Sequence, residues 1–423
     1  MAEEVPTQAR SSSCGDARHT THRSRYPLRA LLPLIAAVFT IADCSQPLHG
    51  GLPLSLPYSR PRPKLAAGAD TNSADAYYEQ GNAWLRADRL DSAASAYFWA
   101  ARLAPDWAEP LYALRIALHG ENLAHIPGYL ASGASIRSPG VRQIDSLERE
   151  ARLRNPFLHA RYDYALTVFT IDKVTDGRVR APMPIMLPPG QRGWVMMSQG
   201  DFTRAAELYA LAIQRDTLNF ALHGERARAF FLLNEYDSAL TEMALMRRKL
   251  ASIQASRTLP IFLSASFAEY ATGAIHAARG DYKAAREAYE RALTDDLAFY
   301  MAHTALGDVS MRLGDTTNAL SEYALAVEIR GDDPSLRYRY GSALLTARHP
   351  ADAAVQLRRA IALDPDDRRS YLAMTYIAEF DGDDAAVVTW GESFLARAPR
   401  TARPQIEAAN GMIAAAKARL AKH

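Results

Sequence analysis

Glycine recurs at Gly273, Gly307 and Gly341, thirty-four residues apart each time. Alanine keeps the same step at Ala285, Ala319 and Ala353, and again at Ala292, Ala326 and Ala360. Between them runs a column of bulky residues, Tyr289, Tyr323 and Leu357. A fixed period of this length marks units that cannot bury an apolar face alone and must stack on their neighbours. Small residues in fixed columns are where helices approach closely, and the bulky column fills the space beside them. Proline closes the second helix of a unit at Pro365 and Pro399, because it cannot continue a helix. The stretch "GDYKAAREAYERAL", residues 280–293, thus reads as a turn and a second helix. Its small residues are contact points and its charges face water.

Residues 74–107, "ADAYYEQGNAWLRADRLDSAASAYFWAARLAPDW", carry Gly81, Trp84, Ala93, Tyr97, Ala100 and Pro105 in the same order. This pattern resembles the tetratricopeptide repeat family, whose unit is a 34-residue helix–turn–helix. Further units fall at 186–219, 220–253, 266–299, 300–333, 334–367 and 368–401. The last is degenerate, with Thr375, Val387 and Gly391 replacing the glycine, the alanine and the aromatic residue, as a terminal unit facing solvent allows. Residues 402–423 read as a capping helix. The expected fold is all-α: a right-handed α-solenoid with one irregular insertion.

The phase breaks between 108 and 185. The N-terminal unit and a degenerate repeat occupy 74–158. Arg115 stands where glycine is expected, and "GYLASGASIRSPG" is inserted between the two helices. An arm or hairpin is expected over 159–192, because β-branched residues flank Asp176-Gly177. Pro182, Pro184, Pro188 and Pro189 favour an edge or an extended segment there. It serves either as a lid or partner contact, or as a bridge between repeats. Two units over 186–253 and four over 266–401 complete the array, with a smaller break at 254–265.

The N-terminus has a different character. Five arginines lie within residues 1–29, followed by the uncharged "ALLPLIAAVFTIA". A basic region ahead of a short apolar core reads as a secretory signal over 1–44. Thirteen residues are too few for a membrane span, which needs about twenty. "IADC" resembles a bacterial lipobox, which implies lipidation of Cys44, although Asp43 departs from the small residue that the pattern prefers. Cleavage after Ala42 is the alternative. Residues 45–73, with Pro47, Pro53, Pro57, Pro61 and Pro63, read as a flexible or partly extended tether. The expected location is the periplasm or a membrane-anchored position in a bacterial envelope.

The sequence carries no recognisable active site. The two cysteines, Cys14 and Cys44, leave everything from residue 45 free of thiols. There is no phosphate-binding Gly-Lys-Ser/Thr loop, zinc-binding His-Glu-x-x-His helix or Gly-x-Ser-x-Gly elbow. The eleven histidines are scattered, and net charge is only +2, with no basic stripe for nucleic acid. No enzyme activity, cofactor, metal, small-molecule substrate or nucleic-acid partner is expected.

What the family resemblance implies is a groove lined by first helices that binds a protein or peptide. Carried over by phase, its positions are Phe267, Tyr270, Met301, Thr304, Asp308, Met311, Arg312, Tyr338, Ser342, Leu345, Tyr376, Glu379 and Phe380. Exposed, such an aromatic and methionine strip suits a protein partner. The first unit has Asn82 at a groove position. Tyr78 stands where some family members place a lysine for peptide C-termini, so that clamp is not expected. Three functions remain open: a lipid-anchored scaffold for another envelope protein, an enzyme or accessory subunit with a site around 120–190, and a structural spacer whose groove is filled by its own chain.

Overall fold

The computed structural model describes residues 59–123, 139–159, 187–253 and 264–422, together with positions 162, 166 and 169. The signal region, the first part of the tether and most of the 159–192 arm lie outside the described residues. Among the described residues every regular element is a helix.

The first two pairs are α1 (Ala74–Arg86) with α2 (Leu90–Leu103), and α3 (Glu109–Leu123) with α4 (Pro139–Arg154). The next two are α5 (Pro189–Gln199) with α6 (Phe202–Arg215), and α7 (Ala221–Leu232) with α8 (Tyr236–Ile253). Four follow: α9 (Ala265–Arg279) with α10 (Tyr282–Asp295), α11 (Tyr300–Arg312) with α12 (Thr316–Ile329), α13 (Pro334–Thr346) with α14 (Pro350–Leu363), and α15 (Arg368–Asp381) with α16 (Asp384–Leu395). A long α17 (Arg403–Leu420) ends the array. Each helix packs mainly on its neighbours in sequence, which makes the chain an α-solenoid.

The turn inside a pair explains the recurring Gly-Asp. Gly200, Gly280, Gly314 and Gly382 have φ of 80, 85, 78 and 73°, a region that costs glycine little. The aspartate after each glycine caps the second helix: Asp201, Asp281, Asp315 and Asp383 accept the N–H of Arg204, Ala284, Asn318 and Ala386. Asp88, Asn234 and Arg348 hold the equivalent left-handed position in other units at φ of 57, 61 and 64°.

Within a unit, glycine sits face-on to the ring sixteen residues later. A Cβ at Gly273 would meet Tyr289 at 2.5 Å, one at Gly307 would meet Tyr323 at 2.9 Å, and one at Gly81 would meet Tyr97 at 2.7 Å. Ala285, Ala319, Ala353, Ala292, Ala326 and Ala360 are all 0% exposed. The terminal unit inverts this pair. Thr375 takes the glycine position, Gly391 takes the aromatic position, and Ile413 of α17 fills the vacated space, 2.8 Å from where a Cβ of Gly391 would lie. Gly273→Ala is expected to cost about 1–3 kcal/mol by overpacking, more than the roughly 1 kcal/mol that helix propensity returns. Gly411→Ala, whose Cβ meets nothing within 4 Å, is expected to add about 1 kcal/mol. Urea midpoints moving in opposite directions would bear this out.

The end of the tether, residues 59–73, makes specific contacts with the array. Trp99 Nε1 donates to Arg60 O at 3.0 Å, and the Arg62 guanidinium lies 4.6 Å from the Trp99 ring centroid. At its end, Asn72 Nδ2 donates to Ala396 O at 3.0 Å and Asp70 accepts the N–H of Arg400. The beginning of the array is therefore fastened to its end.

Candidate protein-binding groove

The first helices α7, α9, α11, α13 and α15 form one face of the array. The structure places the chain's own N-terminal pairs on it. The order of contacts is antiparallel. Residues 70–72 meet 396–400, Arg102 pairs with Asp364 at 3.1 Å, and Asp106 meets Arg339 and Arg369. Glu150 accepts from Tyr300 Oη and Arg330, and Leu153 O accepts from Tyr270 Oη at 2.8 Å. Phe157 then stacks on Phe231 with ring centroids 3.8 Å apart, and Pro156 O accepts from Arg228.

Two ionic centres hold this dock. At the first, Asp106 Oδ1 lies 3.0 Å from Arg339 Nη2 and Oδ2 lies 3.0 Å from Arg369 Nη1. Each arginine also has a carboxylate of its own array. Arg339 Nη1 donates to both oxygens of Asp308 at 2.9 Å, and Arg369 Nε donates to Asp367 at 2.8 Å. Burial pushes the Asp308 carboxyl upward, and Arg339 and the Tyr323 hydroxyl only partly oppose it.

The second centre surrounds Glu150 and Arg154, which are 6% and 1% exposed. Arg154 Nη1 donates to Pro105 O at 2.5 Å and lies in the field of Glu150, Asp333 and Asp106. Nearby, burial pushes Glu225 up, but Arg228 and His159 outweigh it and hold the carboxyl at about 2. Burial pushes the His159 imidazole down.

The strip expected to be exposed is largely covered. Phe267, Tyr270, Met301 and Tyr376 are 3%, 1%, 1% and 8% exposed. Thr304 and Ser342 are buried too. Met311, Tyr338 and Leu345 are half-buried, packed against neighbouring repeats, and Arg369 lies over the Tyr338 ring at 4.6 Å. Asp308 is committed to Arg339 and Tyr323, and Glu379 to Arg419. Arg312 is exposed, and Phe380 is 75% exposed at the open end of α15. Asn82 accepts from Tyr97 Oη. Sequence reasoning missed Asp106, Glu150, Arg330, Arg339 and Arg369. Their signal was a charged side chain on a helix or at a turn, which a solvated surface shows equally well.

Among the described residues no group of histidine, cysteine and carboxylate side chains is arranged to hold a metal, and no helix is long and apolar enough to cross a membrane. Helix pairs stacked around a polypeptide-lined face define a protein–protein interaction scaffold, a class that is typically non-catalytic. The sequence profile of the tetratricopeptide repeat family matches residues 191–249 and 270–334, so these parts of the chain are built of tetratricopeptide repeats. No curated protein matches the chain.

Solved structures similar to it include the following three. YrrB, described as a TPR protein with an unusual peptide-binding site, is 19% identical over 48% of this chain and 98% of its own, with a TM-score of 0.39. The C-terminal part of a TPR repeat-containing protein from Cytophaga hutchinsonii is 17% identical over 49% and 78%, with a TM-score of 0.42. The Cut9–Hcn1 hetero-tetramer of the APC/C is 13% identical over 81% and 76%, with a TM-score of 0.41.

Proposed function

We propose that the chain is a scaffold of the bacterial cell envelope that holds a partner protein or peptide on the face formed by its first helices, tethered to the membrane through a lipid on Cys44. One observation carries the groove. That face already receives polypeptide, namely the carboxylates of Asp106 and Glu150 and the main-chain carbonyls of Leu103 and Leu153. The envelope setting is supported by the basic and apolar character of residues 1–44 and by Cys44. No catalytic step, cofactor, nucleic acid or small-molecule substrate enters this reading.

The same occupied face favours a second reading, a closed structural spacer. Capture from native bacterial membranes, read by mass spectrometry, separates the two. The bait is the full chain beside an Arg312→Glu/Phe380→Ala variant, both exposed groove positions. Scaffolding predicts one envelope protein, with recovery at least tenfold lower for the variant. Equal capture removes the groove, and no specific capture favours the spacer. The intact mass of the membrane-extracted protein tests the anchor. A chain beginning at a lipid-bearing Cys44 is expected, whereas a chain beginning at Asp43 with a bare thiol would place cleavage after Ala42.

A further inference from the structure

Asp106 sits in the turn between α2 and α3, and its side chain is 31% exposed. Its two oxygens are taken by two arginines from different first helices, each at 3.0 Å. Neither arginine depends on Asp106 for its position. Arg339 is fixed by two contacts of 2.9 Å to Asp308, and Arg369 by Asp367 at 2.8 Å and by Ser335 Oγ at 2.9 Å. Arg339 Nη2 and Arg369 Nη1 converge on one carboxylate. Planar guanidinium forks suit this kind of recognition. Beside them, Arg368 Nη1 donates to Leu103 O at 3.3 Å, so the main chain next to the carboxylate is read as well.

From this geometry we propose that Arg339 and Arg369 form a binding site for an acidic turn of a partner protein, and that the chain's own Asp106 turn occupies that site as an internal competitor. The proposal rests on the groove reading and adds the partner's chemistry and the gate. Because the arginines are preorganised, a carboxylate from outside meets the same forks that hold Asp106. Because Asp106 lies at the edge in a turn, exchange requires that turn to lift and does not require the array to unfold. An internal ligand raises the partner concentration needed by the reciprocal of the fraction of time the site is open.

The test uses a labelled peptide of residues 102–110, RLAPDWAEP, and its Asp106→Asn counterpart, titrated by fluorescence anisotropy into the full-length protein. Asp106→Asn in the protein should leave the fold intact, since Asp308 and Asp367 still neutralise both arginines. That variant is expected to bind the aspartate peptide at least tenfold more tightly than wild type does, and at least tenfold more tightly than the asparagine peptide. Adding Arg369→Gln should bring the two peptides level. Equal binding by wild type and variant overturns the gate, and no preference for the aspartate peptide overturns the site.

A measurement on wild type alone covers a variant that fails to fold. Trp107 N–H donates to Ala104 O at 2.9 Å within the docked turn. Millimolar aspartate peptide should speed its amide exchange severalfold, and unchanged exchange overturns the proposal. The two readings fail separately: a partner captured through Arg312 and Phe380 that leaves Trp107 exchange unaltered sinks the competition and keeps the groove.

Discussion

Glu150→Ala is expected to destabilise the folded chain by about 3–5 kcal/mol, the range for removing one partner of a buried charge network. Three groups lose their counterpart at once. Tyr300 Oη loses its 3.1 Å acceptor and Arg330 loses a 3.3 Å contact. Arg154, 1% exposed, loses the largest attraction that favours its charge. Arg330 keeps Asp332 at 3.3 Å, but Arg154 is left to Asp333 and Asp106. Glu150 belongs to the docked N-terminal pairs and Tyr300 and Arg330 to the array, so the loss falls on the dock. Hydrogen exchange should therefore rise first at residues 150–159 and along α9 and α11, with α6 and α17 unaffected. Glu207→Ala is the control. Glu207 pairs with Arg204 at the surface, with both side chains more than half exposed, and its removal should cost less than about 0.5 kcal/mol. A Glu150→Ala loss as small as the control's would mean that the ion network does not hold the dock.

The array itself was legible because its columns are dictated by contact. Gly273 must be small under Tyr289, and Ala292 must be small under the next pair, so a 34-residue step survives in the letters. The terminal unit was legible only as a departure. Gly391 looks like a lost aromatic residue until Ile413, twenty-two positions on in a helix outside the repeat phase, is seen filling the same space. The dock left no periodic trace. Asp106 and Arg369 are 263 residues apart, and Glu150 and Arg330 are 180 apart. Each of these residues is, locally, an ordinary charged residue on a helix or turn. The groove positions were assigned by phase to Phe267, Tyr270 and Met301, and phase places them on the first helices correctly. It is silent on whether another part of the chain lies on top of them.

Asp333 gives the second large effect, and its sign is unusual for a carboxylate. The residue is 0% exposed, and Oδ1 caps α13 by accepting the N–H groups of Ser335 at 2.8 Å and Leu336 at 3.2 Å. Oδ2 meets no donor among the described residues. Burial raises the carboxyl, Glu150 adds to the rise, and Arg154 and the two capping N–H groups pull it back, leaving it pushed up to about 7. In the unfolded chain an aspartate titrates near 3.9. Below about pH 4 both states hold the proton. Between about 4 and 7 the unfolded chain has released it and the folded chain keeps it, so stability falls as pH rises through that window. A gap of about three units corresponds to a loss of up to roughly 4 kcal/mol. Asp333→Asn retains a good helix cap and cannot ionise. The stability of wild type relative to this variant should therefore decline by up to that amount from pH 4 to 7. His159, whose imidazole burial pushes down, acts in the opposite direction over part of the same range. It is common to both proteins and cancels in the difference. Glu225, held at about 2, loses its contribution only as pH falls below the window. Urea titrations of the two proteins at half-unit steps would show the difference directly, and parallel curves would mean that Asp333 is ionised throughout and that Arg154 outweighs its burial.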